Sequence, residues 1–328
     1  MKAYILCLLV ALAVSLVDIP RHQKIVETVN NLKTTWTAKI NQRDIAPLIG
    51  AWPDTPDTAL PEKTEFKVTN GELPESYDLR EAFPECETIR EIRDQSRCGS
   101  CWAFGGAETM SDRLCIHSKG QLQTRVSALH LVSCCTSCGD GCFGGYPSAT
   151  FSYWKNHGIP SGGLYGDKTT CQPYFLPPCD DHMHKCHDYQ DTPACETTCQ
   201  EGYPKTLEED KSYGVSSYSV RGEENIMKEI YENGPVEGTF TVYEDFGDYE
   251  KGIYQHVTGS YLGGHAIKII GWGVENGVKY WICANSWNET WGEKGYFRIL
   301  KGENECGIER SASAGNPKVS TGKKFLFE

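Results

Sequence analysis

At 328 residues the chain is long enough to bury one large core or to divide into two lobes of ordinary domain size. Its formal net charge of -12 and its lack of any clustered Lys and Arg run argue against nucleic acid and anionic membrane surfaces as partners. Lys2 precedes an apolar run from Ile5 to Val17, too short to span a bilayer, with the small residues Ala13 and Ser15 placed for cleavage. Residues 1–17 therefore read as a secretory signal peptide, and no later segment is apolar enough to be a membrane helix. Sixteen cysteines agree with passage through an oxidising lumen; losing Cys7 with the signal leaves fifteen, so at least one thiol stays unpaired. Residues 18–72 are polar, cysteine-free and weakly helical around Ile25 to Leu32, then rich in Pro and Thr from Pro53 to Thr64. A stretch this poor in apolar surface does not fold alone. From Leu73 the character changes, and a helix is predicted from Cys101, with Phe104, Ala107, Met110 and Leu114 on one face and a stop near Lys119 and Gly120. Residues 134 to 206 are loop-rich, dense in Cys, Gly and Pro. A second helix spans Glu223 to Asn233, with acidic residues in its first turn and an Asn-Gly-Pro stop. Strand-like runs follow at Val236 to Tyr243, His265 to Val274, Lys279 to Trp287 and Gly295 to Leu300. Helix first and strands later predicts an α+β chain in two lobes.

The chemistry-bearing stretch is Gln95-Ser-Arg-Cys-Gly-Ser-Cys101-Trp-Ala-Phe. A cysteine at a helix N-terminus sits where the helix dipole favours thiolate over thiol, and such thiols can have a pKa of roughly 3.5 to 7.5. Far downstream lie Gly263-Gly264-His265-Ala266 and Ala284-Asn285-Ser286-Trp287. Taken singly, a cysteine here reads as half of a disulfide, a histidine in an apolar strand as a core residue, and an asparagine before Ser-Trp as a turn. Together they supply a sulfur nucleophile, a base to pair with it and an amide to orient the base.

The Cys, His and Asn stretches resemble those of papain-like cysteine proteases. Leu73 to Ser76, the Cys134-Cys135 pair, Pro177-Pro178-Cys179 and Cys306-Gly307-Ile308-Glu309 resemble the cathepsin B branch of that family, and the likeness spans nearly the whole chain after the signal peptide. The resemblance implies a papain-like two-lobed fold over residues 73–328. A helical lobe at about 85–219 would carry the cysteine, a β-barrel lobe at about 220–317 would carry His and Asn, and the active-site cleft would lie between them. It implies Cys101 as nucleophile, His265 as its imidazolium partner, Asn285 orienting the imidazole, and Gln95 donating to the oxyanion beside the Cys101 N–H. Gly144 and Gly145 would clamp an extended substrate backbone. Tyr146, Pro147, Thr239 and Ala266 would line the pocket for the P2 residue, the second before the scissile bond, with Ser311 at its floor where the branch has a glutamate. Trp287 would shield the His–Asn contact.

Residues 18–72, with Asn31 to Trp36 and Gly50, resemble a short propeptide that crosses the active site and blocks it; the alternative is a disordered linker. The implied disulfides are Cys86–Cys115, Cys98–Cys142, Cys134–Cys195, Cys135–Cys138, Cys171–Cys199 and Cys179–Cys186, leaving Cys101, Cys283 and Cys306 free. From Cys101 to His265 is 265 minus 101, or 164 residues, against about 130 to 150 in the papain-like signature. The excess points to an insertion at about 177–199 that resembles the occluding loop. That loop carries two adjacent histidines which bind a substrate's C-terminal carboxylate; here Asp181 takes the first position, His182 the second, and the loop is four residues shorter. The His and Cys ligands between 179 and 187 could also suggest zinc, but their spacing matches no finger or ribbon. Asn288-Glu289-Thr290 is a formal glycosylation sequon or an unmodified turn. The implied function is a cysteine endopeptidase made as a zymogen and acting on proteins and peptides. It would need no cofactor or metal and would be destined for a lysosome, a lysosome-like vacuole or secretion.

Overall fold

A computed structural model describes residues 19–41, 43–179 and 188–319. The predicted signal peptide, Asp181, His182, His184 and Cys186 fall outside the described residues. Two apolar cores divide the chain. One holds Trp102, Phe104, Leu131, Phe151 and Trp154 among helices; the other holds Phe240, Ile267, Ile269, Trp281 and Phe297 within a sheet.

Helix α1 (Ile19–Leu32) and strand β1 (Trp36–Ala38) come from the N-terminal segment, followed by the short strand β2 (Tyr77–Asp78). Helices α2 (Cys101–His117), α3 (Ala128–Cys134) and α4 (Pro147–His157) build the helical part. Apolar spacing in α2 predicts one buried face, yet every residue from Cys101 to Cys115 is buried, because the helix runs between the two cores. Its polar side chains therefore meet buried partners. Lys268 places its ammonium 2.7 Å from Asp112 and 3.8 Å from Glu108, and the Arg113 guanidinium lies 2.8 Å from Glu229. Removing one member of such a buried pair would cost about 3–5 kcal/mol, which makes α2 the spine joining the two parts.

The C-terminal half supplies β3 (Tyr218–Val220), α5 (Glu223–Asn233), β4 (Val236–Tyr243), β5 (Tyr249–Tyr254), β6 (Tyr261–Glu275), β7 (Val278–Ala284), β8 (Tyr296–Leu300) and β9 (Ala312–Ala314). The strand order is β1-β5-β8-β7-β6-β4-β9-β3, with β2 also on β6. Central β6 is buried continuously from His265 to Gly273, since its neighbours and α2 cover both of its faces.

Here the structure corrects the expectation of a barrel: the sheet is open, ending at β1 and β3. Its edges are covered by the N-terminal segment instead of by each other. β1 pairs antiparallel with β5 at one end. At the other, Ser219 of β3 exchanges backbone hydrogen bonds with Pro61 and Lys63, each 2.9 Å. An open edge is a row of unpaired N–H and C=O groups, and this segment satisfies both rows.

Disulfides Cys86–Cys115, Cys98–Cys142, Cys134–Cys195, Cys135–Cys138 and Cys171–Cys199 are present, and Cys101, Cys283 and Cys306 are free. Cys179 is disulfide-bonded as well; the expected pairing with Cys186 lies outside the described residues.

Candidate active site

The first residue of α2, Cys101, faces β6 across the seam between the two cores, where it packs with Ala266 and with Ala51 of the N-terminal segment. His265, next to Ala266 on β6, points its Nε2 at the Oδ1 of Asn285, 2.8 Å away. Asn285 Oδ1 also accepts from the Ser286 N–H at 2.8 Å. An oxygen that accepts from a backbone N–H must accept from the imidazole too, so Nε2 carries the proton and Nδ1 is left as the open acceptor. Nδ1 is buried and has no hydrogen-bond partner. Trp287 lies over the ring with centroids 4.7 Å apart.

Gln95 is held from behind. Its Oε1 accepts from the Ser286 hydroxyl at 2.8 Å and the Trp287 indole at 3.2 Å, so its Nε2 must point toward Cys101's end of the seam. That amide donates to the carbonyls of Cys98, at 2.8 Å, and Leu48, at 2.9 Å. The donor expected to meet an oxyanion already faces a peptide carbonyl of the N-terminal segment.

The same segment fills the rest of the seam. Gly145 donates to Gly50 and accepts from Trp52, both at 2.8 Å, and Ala51 donates to the Gly264 carbonyl at 2.9 Å. Gly145 therefore holds the backbone of this segment through both of its main-chain groups. Gly144, at φ +121°, contributes space: a Cβ there would come within 2.4 Å of the Trp52 indole nitrogen. Trp52 also meets Tyr146 edge to face at 5.2 Å. Pro147, Thr239 and Ser311 line a cavity of about 490 Å³ roofed by Ala51, Trp52, Pro53 and Asp54. Ala266 and Tyr146 do not line it: one is packed on Cys101 and the other on Trp52.

Electrostatics differ from the expectation of a ready thiolate and imidazolium. Burial pushes the Cys101 thiol up to about 11, against the N–H groups of Ala266, Gly50 and Trp102. Burial likewise pushes His265 down to about 4, against its contact with Asn285. Both shifts favour a neutral pair. Both residues are wholly buried, Cys101 against Gly50 and Ala51 of the N-terminal segment and His265 against Trp287 and Phe240, and that burial cancels the advantage of the helix terminus. The Gly50 N–H lies 3.4 Å from Sγ, so the sulfur meets an amide hydrogen and not a carbonyl carbon.

Other polar groups here escaped the sequence reading. Glu237 on β4 is buried against Gly105 and Gly106 of α2, and burial pushes it well above its ordinary value against the pull of the Gly106 N–H. Arg221 and Arg310 line the cavity; only the adjacency of Arg310 to Ser311 hinted at this. Asp94 accepts from the N–H groups of Ser96 and Cys179, each 2.7 Å, and lies 3.6 Å from Arg43. Asn288 gives its side-chain amide to Asp94 at 3.3 Å, so the sequon nitrogen is engaged as part of a turn.

A two-part fold with Cys, His, Asn and Gln converging on one seam is that of the papain-like thiol peptidases, and residues 73–316 match the model of the papain family cysteine proteases. A cathepsin B-like cysteine proteinase of Schistosoma japonicum is 52% identical over 252 residues, covering 75% of this chain and 74% of the relative. Cathepsin B-like cysteine proteinase 5 of Caenorhabditis elegans is 43% identical, over 95% of this chain and 97% of that protein. Procathepsin B S9 of Trypanosoma congolense superposes with a TM-score of 0.78 at 39% identity, over 92% of this chain and 99% of that one. The chain belongs to the papain family of cysteine proteases. It is a cysteine peptidase of cathepsin B type, made as a zymogen.

Proposed function

We propose that residues 18–72 are an autoinhibitory propeptide and that their loss frees a Cys101–His265–Asn285 peptidase, with Gln95 as oxyanion donor. What carries this reading is the peptide already in the seam, held by Gly145, Gly264 and the Gln95 amide and set with an N–H against the sulfur. A substrate held by the same groups would instead present its scissile carbonyl carbon to Sγ. Water entering the vacated seam restores solvation to both reacting groups, so the proton of Cys101 can pass to Nδ1 of His265. The thiolate attacks, forming a carbon–sulfur bond, while the carbonyl oxygen's charge falls on the Gln95 amide and the Cys101 N–H. Collapse breaks the carbon–nitrogen bond, and the imidazolium gives its proton to the leaving amine. A water deprotonated by His265 then cleaves the thioester and regenerates the thiol.

We further assign Gly144, Gly145, Tyr146, Pro147, Thr239 and Ser311 to substrate binding, Ala266 to the wall behind Cys101, and Trp287 to shielding the His–Asn contact. His182 is assigned to a weakly acting occluding loop, so that endopeptidase activity dominates. Ser311 offers a hydroxyl where a glutamate would pair with arginine, so bulky apolar P2 residues are preferred over P2 arginine. The enzyme is assigned to a lysosome, a lysosome-like vacuole or secretion; no helix among the described residues is long and apolar enough to cross a membrane. The test is turnover of a Phe-Arg fluorogenic substrate by acid-activated protein, blocked by a thiol-alkylating epoxide. Activity of the uncleaved precursor equal to that of the mature form would defeat the proposal.

A further inference from the structure

The cavity beside the seam carries an unusual charge. Its wall includes two guanidinium groups, Arg221 and Arg310, and among the described residues the one carboxylate lining it is Asp54, from the N-terminal segment. Among the described residues Arg310 has no carboxylate within salt-bridge distance, and Arg221 has one, Glu62, at 3.5 Å. Glu62 also belongs to the N-terminal segment. When residues 18–72 leave, Asp54 and Glu62 leave with them, and both arginines remain without a counter-ion.

Among the described residues no acidic residue of the peptidase part lines the cavity. Glu305 faces the His256 N–H at 3.0 Å, and Glu309 is committed to the Trp281 indole at 3.0 Å and the Gly302 and Asn304 N–H groups. Glu237 shares the β4 face of Thr239 and Thr241, but it lies under the glycines of α2 and burial favours its uncharged form. The cavity already accommodates an acidic side chain in the zymogen: Asp54 sits at its roof, hydrogen-bonded by the Ser148 hydroxyl.

We propose that the mature enzyme's P2 cavity accepts acidic side chains, with Arg310 and Arg221 as the specificity-determining residues. Aspartate or glutamate at P2 is thereby added to the apolar residues assigned above. Ser148, freed of Asp54, and Ser311 supply hydroxyl donors to the same carboxylate. The inference rests on the peptidase reading, whose clamp at Gly145 and Gly264 places the P2 side chain over this cavity.

The experiment compares matched dipeptide substrates with P1 arginine and P2 glutamate or glutamine, which differ in charge and hardly in shape. Mature enzyme at low salt should favour glutamate by about fivefold in kcat/KM, the scale of two exposed ion pairs. The preference should shrink as salt screens it, and Arg310→Ser combined with Arg221→Ala should bring the ratio to about one or below. A wild-type ratio of one, or a preference unmoved by the double substitution, overturns the proposal. Mature Cys101→Ala protein, processed by an added protease, reads the same glutamate-to-glutamine ratio as binding affinity. Loss of all turnover by the unmodified enzyme would thus strike the peptidase reading, whereas equal affinities would strike the pocket.

Discussion

Cys101 and His265 show how far a residue's chemistry is set by what covers it. The helix N-terminus favours thiolate, yet with Gly50 and Ala51 in place burial wins and the thiol rises to about 11. On the proposed reading the covering peptide would inhibit twice, by occupying the seam and by keeping the Cys101 thiol protonated. Iodoacetamide labelling of Cys101 at pH 5 to 6, followed by mass spectrometry of its peptide, should be at least about a hundredfold faster in the mature enzyme than in the precursor. Equal rates would mean that the segment does not control the thiol. Cys101→Ala should lower kcat/KM by at least about a thousandfold while leaving the five described disulfides intact, because this sulfur is in none of them. Asn285→Ala should cost less, about a hundredfold or under, since the Asn285 oxygen only orients the ring. Finding Asn285→Ala as inactive as Cys101→Ala would require a direct role in bond cleavage.

At the scale of elements, α2, α5, β4 and β8 were legible because periodicity and stop signals coincide there. Cys101 to His117, Glu223 to Asn233, Val236 to Tyr243 and Tyr296 to Leu300 match the expected runs closely. Helix α4 was not, because Pro147 at its start and aromatic residues within it read as part of a cysteine-rich loop; disulfides and tertiary packing hold it. Nor could periodicity show that the N-terminal segment closes both sheet edges, since its stabilising partners are far away in sequence. Lys63 illustrates the point, its ammonium lying 2.6 Å from buried Glu229. Burial raises the Glu229 carboxyl, but Arg113 and Lys63 outweigh it and hold the group below the usual carboxylate range. A depressed folded value contributes stability that is present above the ordinary carboxylate pKa and is lost as pH falls through the depressed one. The Lys63 share of that stability belongs to the segment's attachment. Lys63→Gln should therefore weaken attachment by on the order of 1 kcal/mol at neutral pH and move release of the segment to higher pH. The measurement is the pH midpoint of precursor activation, and an unchanged midpoint would remove this contact from the acid trigger.

Across the whole molecule, departure of the N-terminal segment rearranges charge at both ends of the cleft. At one end its loss would remove the carboxylates of Asp54 and Glu62 from beside Arg310 and Arg221; at the other it would take Arg43 away from Asp94. Asp94 keeps its N–H donors from Ser96 and Cys179, and Cys179 is the last described residue ahead of Asp181 and His182 in the insertion. In the family's occluding loop a histidine occupies the position of Asp181 and pairs with the aspartate that Asp94 matches. Two carboxylates at that contact would repel, so the loop should latch poorly and cleavage inside long peptides should dominate over release of C-terminal dipeptides. Burial raises the Asp94 carboxyl above its usual range, with Arg43 and the N–H donors acting the other way. Protonation of either carboxylate removes the repulsion, so it eases as pH falls and dipeptide release should be greatest on the acid side. Asp181→His should reverse the sign of the contact, raising dipeptide release by about tenfold near pH 5 and slowing cleavage of long substrates. The two activities are read separately, on a peptide with a free C-terminal carboxylate and on its amidated counterpart. Efficient dipeptide release by the unmodified enzyme, flat with pH and indifferent to Asp181→His, would show that the loop is held by contacts other than the one at Asp94.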